Sequence, residues 1–205
     1  MKQIVIYIHG KGGTPAEAQH YRTLFPDSTV KGLDYISQTP WEAKEEFPQL
    51  FDSMTASFGS VILIANSLGA YLALHSLAAK PIAKAFLISP VVDMEALIKG
   101  MMQQEGISED TLRSRREIHT AAGDTLSWDY LTYVRENPIN WHIRTSILCG
   151  SKDFLAPPVT AEAFAAKTGA TLTVMEDGEH WFHTAGQMAF LDNWIKREMT
   201  ADSMK

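Results

Sequence analysis

The sequence predicts an α/β protein built on one parallel sheet with helices on both faces. Short runs rich in apolar and β-branched residues alternate along the chain with longer segments of helical length. The short runs are apolar at consecutive positions, which is typical of strands buried on both faces. Alternating strands and helices of this size require right-handed crossovers, so we expect a doubly wound sheet in three layers.

Six strands are predicted, and helical segments fit between them. The strands occupy residues 4–8, 29–33, 61–65, 83–89, 146–149 and 171–175. Helices are predicted from residue 14 or 15 to 25, and over residues 41–58, 68–79, 158–167 and 187–199. Because proline disrupts a helix interior, we expect Pro48 to kink the second helix or divide it. Gly169 is expected at the C-terminal end of the fourth helix.

Residues 92–140 interrupt this alternation. The stretch predicts about three helices and no strand, and it is longer than an ordinary crossover. We interpret it as a helical, cap-like insertion within a single domain of 205 residues. A longer packing layer without a lid function is the alternative interpretation.

The composition of the chain further limits the kinds of protein that it can be. The chain is 45% hydrophobic and 20% charged, which is ordinary for a folded protein, and its net charge of −6 argues against a nucleic-acid partner. Its one cysteine, Cys149, cannot form an internal disulfide, and it follows an apolar run that favours a buried thiol. The first apolar run, residues 4–8, is too short for a signal peptide or membrane span, so we expect a cytoplasmic protein without a membrane partner.

A serine follows the most apolar predicted strand and opens a helix rich in alanine and leucine. The local sequence is A-N-S-L-G over residues 65–69. A serine on a sharp bend between strand and helix projects its hydroxyl group clear of the sheet, and small neighbours such as Gly69 make room for the bend. The alternative is that Ser67 is a simple helix N-cap.

The first strand ends in a glycine-rich loop, H-G-K-G-G, over residues 9–13. Glycines allow a backbone to approach a ligand closely. A phosphate-binding P-loop is excluded because no Lys-Ser or Lys-Thr pair follows, and a dinucleotide-binding loop would need glycine where Pro15 stands. An ordinary glycine-rich turn remains the alternative.

Two late strands each end near a residue that can serve a nucleophilic serine. Asp153 follows the run C-G-S-K over residues 149–152, and His180 lies in D-G-E-H-W-F over residues 177–182. Asp93 is a competing acid that we expect to cap the first insertion helix, and His183 is a competing histidine. The remaining histidines show no metal-ligand spacing.

These four motifs, in this order, resemble the α/β-hydrolase superfamily. Its nucleophile elbow is G-x-S-x-G, from which Ala65 departs, and its triad runs serine, acid, histidine along the chain. The resemblance implies Ser67 as nucleophile, Asp153 as acid and His180 as base. It also implies an oxyanion hole formed by the backbone N–H groups of Lys11 and Leu68, and the spatial strand order 2-1-3-4-5-6. The superfamily's first two strands are expected to be missing.

The function implied is that of a small serine esterase acting through an acyl-serine. Thioesterase or amidase activity, or a non-catalytic binding protein on the same fold, are the alternatives. We expect a small-molecule ester as partner, with no cofactor and no metal; the oligomeric state is left open. Further candidate substrate-binding residues lie in the glycine-rich loop, in the insertion or next to His180. They are His9, Gly10, Met94, Met101, Trp128 and Trp181.

Overall fold

Six parallel strands form the central sheet of the computed structural model, which describes residues 2–121 and 123–203. The strands, in chain order, are β1 (Gln3–Ile8), β2 (Thr29–Gly32), β3 (Ser60–Asn66), β4 (Lys84–Ile88), β7 (Thr145–Gly150) and β8 (Thr171–Met175). Their spatial order is β2-β1-β3-β4-β7-β8, and every neighbouring pair is parallel. The predicted fold class and strand order are therefore confirmed.

The two faces of the sheet bury alternate residues of the same strands. On one face, Val5, Ile64 and Phe86 belong to a core cluster that includes Tyr21 of a 3-10 helix and Trp194 of the C-terminal helix. The intervening strand residues, for example those at 4, 6 and 63, are also fully buried. Burial at consecutive positions is what a sheet covered on both sides requires, and it explains the uninterrupted apolar runs.

The helices that cover the sheet lie close to their predicted positions. They are the 3-10 helix Pro15–Thr23, α1 (Pro40–Thr55), α2 (Ser67–Ser76), α6 (Pro158–Thr168) and α7 (Ala185–Ser203). Gly169 caps α6 in the left-handed conformation, as predicted, with φ of 73°. Pro48 does not divide α1 in two, because the helix runs unbroken past it. A capping box of Thr39 and Glu42 stabilises the start of that helix.

The chain divides into two compact units, one of which is Asp93–Ile139. The other comprises the residues up to Val92 and from Asn140 onward. The smaller unit contains α3 (Met94–Gln104), α4 (Glu109–Arg115), α5 (Trp128–Glu136) and an antiparallel pair, β5 (Glu117–His119) and β6 (Thr125–Ser127). Three helices were predicted here, but the expectation of no strand is wrong. Each of these strands has three residues with one apolar side chain, Ile118 or Leu126, so neither makes an apolar run.

Arg135 joins the three helices of the smaller unit. Its guanidinium group donates to Glu95 of α3 at 2.8 Å and makes two bonds to Glu109 of α4, at 3.0 and 2.6 Å. Asp93 caps α3 by accepting a hydrogen bond from the Ala96 N–H at 2.9 Å, as predicted. Within the described residues, none of the helices combines the length and apolar character needed to cross a membrane.

Candidate active site

Ser67 stands at the sharp bend between β3 and α2. Its φ of 49° lies in the left-handed region that residues other than glycine rarely adopt, and such strain is concentrated at functional turns. Gly69 permits the bend, because a Cβ atom there would lie 2.0 Å from the carbonyl oxygen of His9. Alanine is accommodated at position 65, since that residue still belongs to β3 and pairs with Ile8 and Leu87.

A continuous chain of hydrogen bonds joins Ser67, His180 and Asp153. The Ser67 Oγ atom lies 2.8 Å from His180 Nε2, and His180 Nδ1 lies 2.7 Å from Asp153 Oδ2. The side chains of His180 and Asp153 are 3% and 0% exposed. An ionised carboxylate only accepts, so Nδ1 carries the proton and Nε2 is left to accept one from the serine hydroxyl. In this arrangement an acceptor nitrogen lies within hydrogen-bonding distance of the serine hydroxyl, the geometry in which a base activates a nucleophile.

The loop after β7 fixes the orientation of the Asp153 carboxylate. Its second oxygen, Oδ1, accepts hydrogen bonds from the N–H groups of Leu155 at 3.0 Å and Ala156 at 2.8 Å. The Asp153 N–H itself donates to the Gly150 carbonyl at 3.1 Å. The two carboxylate oxygens therefore have different partners, and these hydrogen bonds hold the carboxylate in one orientation.

Two glycines bring the loops of Asp153 and His180 together. A Cβ atom on Gly150 would lie 2.3 Å from the backbone of Gly178, and one on Gly178 would lie 2.9 Å from Gly150. Across this contact the Lys152 N–H donates to the Gly178 carbonyl at 2.8 Å. Gly150 is needed for this close approach, since it is not among the residues with positive φ. The competing His183 is exposed, and its Nδ1 lies 2.7 Å from the Trp181 carbonyl.

The glycine-rich loop after β1 lies against Ser67. A Cβ atom on Gly10 would be 3.1 Å from Ser67 Cβ and 3.7 Å from its Oγ. The loop is closed by a hydrogen bond from the Gly13 N–H to the Gly10 carbonyl at 3.1 Å. Lys11, within this loop, and Leu68, the second residue of α2, are the predicted oxyanion-hole donors, and their role stays a proposal.

The other predicted substrate-binding residues fall into two groups. Trp181 is 56% exposed, and its ring meets that of His180 edge to face at 5.3 Å, so it borders the hydrogen-bonded chain. Met94 and Met101 lie on α3 and Trp128 begins α5, all in the smaller unit. Their contribution to a substrate site remains a prediction.

A cavity of about 260 Å³ lies beside the bend between β3 and α2, in the larger unit. It is lined by Tyr7, Glu17, His20, Tyr21, Asn66, Ile88, Phe182, Met188 and Leu191. In its wall the Tyr7 hydroxyl donates to Glu17 at 2.6 Å, and Glu17 accepts from the Thr14 N–H at 2.9 Å. Burial, Tyr21 and Glu17 raise the pKa of Tyr7, so its hydroxyl remains a donor. This network fixes the chain where it leaves the glycine-rich loop.

Cys149 does not take part in the hydrogen-bonded chain. It is fully buried, as predicted, and burial, followed by the charges of Asp153 and Glu162, raises the pKa of its thiol to about 12. A thiol of that pKa is a poor nucleophile at neutral pH. Among the described residues, no group of three or more histidine, cysteine or acidic side chains is arranged to hold a metal ion.

The chain belongs to the alpha/beta hydrolase family, because residues 6–191 match the model of that family. The match includes all three members of the hydrogen-bonded chain and the glycine-rich loop. Membership supports a hydrolase activity. A search of curated proteins gives no match.

Solved structures share this fold. Est1E from Butyrivibrio proteoclasticus has a TM-score of 0.80 at 14% identity, over 100% of this chain and 89% of that chain. Alpha/beta hydrolase domain-containing protein 10 from mouse has a TM-score of 0.71 at 17% identity, over 98% and 90%. A lipase-esterase related protein from Clostridium acetobutylicum has a TM-score of 0.67 at 15% identity, over 95% and 93%. At such identities the likeness shows the fold alone.

Proposed function

We propose that this chain is a serine hydrolase that cleaves small carboxylic esters through an acyl-serine intermediate. The observation that carries the proposal is the chain of hydrogen bonds from Ser67 through His180 to Asp153, with distances of 2.8 and 2.7 Å. Serine at the bend favours acyl transfer, since dehalogenases and epoxide hydrolases of this fold use a carboxylate there.

In the first half of the reaction, Ser67 Oγ attacks the ester carbonyl carbon while its proton passes to His180 Nε2. The N–H groups of Lys11 and Leu68 stabilise the negative oxygen of the tetrahedral intermediate, each contributing about 3–4 kcal/mol to the barrier reduction. The carbon–oxygen bond to the alcohol then breaks, and the alcohol leaves with the proton from His180. Asp153 stabilises the imidazolium between these two proton transfers.

In the second half, water attacks the acyl group on Ser67 and gives a proton to His180. The second tetrahedral intermediate collapses, the carboxylic acid leaves, and Ser67 Oγ regains its proton from His180. The burial of His180 and Asp153 keeps bulk water away from the hydrogen bond between them. Electrostatic stabilisation of the imidazolium is stronger in such a site than in water.

The test is hydrolysis of p-nitrophenyl esters with acyl chains of graded length by wild-type protein and by Ser67→Ala. Loss of the nucleophile is expected to lower kcat by about 10⁶. Ser76→Ala is the matched control, because Ser76 lies in the same helix and its hydroxyl donates to the Leu72 carbonyl. Activity of Ser67→Ala above about a hundredth of wild type would contradict the proposal. Hydrolysis of thioesters or amides but not of esters would replace the esterase assignment by a thioesterase or amidase activity.

A further inference from the structure

Tyr35 contacts the glycine-rich loop, although it belongs to neither a strand nor a helix. It lies in the segment between β2 and α1, and its ring stacks on the imidazole of His9 with centroids 4.4 Å apart and planes at 16°. Its hydroxyl donates to the His9 carbonyl oxygen at 2.7 Å. Both the ring and the hydroxyl of Tyr35 therefore act on the same residue, the first of the loop.

The Tyr35 side chain is itself held in place from α1. Its ring meets the fully buried ring of Phe47 edge to face at 4.9 Å. The next two residues, Ile36 and Ser37, donate their N–H groups to the carboxylate of Glu46 at 3.1 and 2.9 Å. Burial, followed by the charges of Glu17 and Glu46, raises the pKa of the Tyr35 hydroxyl to about 12. The hydroxyl consequently remains a hydrogen-bond donor at neutral pH.

His9 in turn fixes the peptide that follows Gly10. The Gly10 carbonyl accepts hydrogen bonds from His9 Nδ1 at 2.9 Å and from the Gly13 N–H at 3.1 Å. A carbonyl cannot donate, so Nδ1 carries the proton. Because the C=O and N–H of one trans peptide point in opposite directions, a carbonyl held in this way fixes the direction of the Lys11 N–H. Rotation of the peptide would break both bonds.

We propose that Tyr35 is a positioning residue for the oxyanion-stabilising step. It orients His9, and His9 holds the Gly10–Lys11 peptide with its N–H directed toward the substrate oxygen. The inference rests on the proposed serine hydrolase function and on Lys11 as a donor. It assigns part of the transition-state stabilisation to a residue outside the four motifs.

The first measurement separates kcat from KM in two variants. Tyr35→Phe keeps the stacked ring but removes the hydroxyl, and it is expected to lower kcat about fivefold, the equivalent of one neutral hydrogen bond. Tyr35→Leu removes both contacts and is expected to lower kcat about 10²-fold, approaching the loss of one oxyanion-hole donor. KM is expected to stay within about twofold, because the stabilisation is made in the transition state. Tyr71→Phe in α2 is the matched control and is expected to leave kcat unchanged.

The second measurement is inhibition by an aryl trifluoromethyl ketone, whose adduct with Ser67 carries a negative oxygen like the intermediate. Its inhibition constant is expected to rise in each Tyr35 variant by the same factor as kcat/KM falls. The pH profile of kcat/KM is expected to be unchanged, since the pairing of His180 and Asp153 is untouched. A general loss of folding would not produce this proportionality.

The two proposals fail differently. If Ser67→Ala keeps its activity, the proposed function is wrong, whatever the Tyr35 variants do. If Ser67→Ala is inactive while Tyr35→Phe retains full kcat and full affinity for the ketone, the positioning role is overturned. A change confined to KM would overturn it as well. Should Tyr35→Leu fail to fold, the result for Tyr35→Phe alone decides.

Discussion

Replacing Asp153 by asparagine should disable the base without disturbing the fold. Asp153 Oδ1 accepts two backbone N–H groups, from Leu155 and Ala156, while Oδ2 faces His180 Nδ1 at 2.7 Å. An asparagine keeps the size and must place its amide oxygen where the two N–H groups point. Its NH₂ group then faces Nδ1, because the opposite orientation would set donor against donors.

The size of the effect follows from the tautomer. An NH₂ group facing Nδ1 makes that nitrogen an acceptor, so the imidazole proton moves to Nε2. In this form Nε2 donates toward Ser67 and cannot take the hydroxyl proton. The expected loss in kcat is about 10⁴, the cost of the wrong tautomer in a triad. The expected change in stability is small, since both backbone hydrogen bonds to the side chain remain.

The assay is steady-state hydrolysis of a p-nitrophenyl ester, with thermal unfolding measured on the same samples. Asp93→Asn is the matched control, because Asp93 caps α3 through the Ala96 N–H and asparagine caps a helix about as well as aspartate. A loss in kcat smaller than about tenfold in Asp153→Asn would refute the reasoning, given the size expected for a lost base. A large loss in Asp93→Asn alone would transfer the acid role to that residue.

Two further predictions concern packing and pH. Gly150→Ala would place a Cβ atom 2.3 Å from Gly178, so we expect activity to be lost. The free energy of unfolding, measured by chemical denaturation, should fall by about 1–3 kcal/mol. Gly186→Ala, whose added Cβ atom would meet no atom within 4 Å beyond the adjoining residues and the backbone of its own helix, should be neutral or slightly stabilising; equal effects of the two substitutions would contradict the close-approach argument. Burial lowers the pKa of His75 from 6.5 to about 4, so the unfolded chain takes up the proton first and stability should fall as pH drops through this window. The melting temperature of the His75→Gln variant should therefore fall less over this pH range than that of the wild type. An equal fall in both proteins would refute the prediction.

Most strands of the sheet were predictable because burial leaves a direct mark on the sequence, whereas the order of the strands was implied by the resemblance to the α/β-hydrolase superfamily. A strand covered on both faces is apolar at consecutive positions, as residues 4–8 and 61–65 are, whereas the edge strands β2 and β8 carry polar residues between their apolar ones. The pair β5 and β6 left no such mark, since Ile118 and Leu126 are the single apolar residues of their strands. Similarly, α1 continues past Pro48, although the local sequence predicted a kink or a division there.

The pairing of Asp153 with His180 was predictable from chain order and from the carboxyl ends of neighbouring strands. The cause of their meeting was not, because the contact of Gly150 with Gly178 joins loops 28 residues apart. In the structure Gly150 is required for this close approach, because a Cβ atom there would lie 2.3 Å from the backbone of Gly178. Tyr35 belongs to no motif, and its role is revealed by its stacking on His9 and by its hydrogen bond to the His9 carbonyl. Contacts between distant loops depend on the folded backbone, which residue patterns encode only indirectly.

The most direct test of the account is covalent labelling with a fluorophosphonate probe, followed by mass spectrometry of the digested protein. The probe reacts with a serine only when a neighbouring base activates its hydroxyl. The hydrogen bond of 2.8 Å between Ser67 Oγ and His180 Nε2 predicts one modified peptide, labelled at Ser67. His180→Ala is expected to abolish the labelling, whereas His183→Ala is expected to retain it. An unlabelled Ser67 in folded wild-type protein, or a label on another serine, would contradict the assignment of Ser67 as the nucleophile.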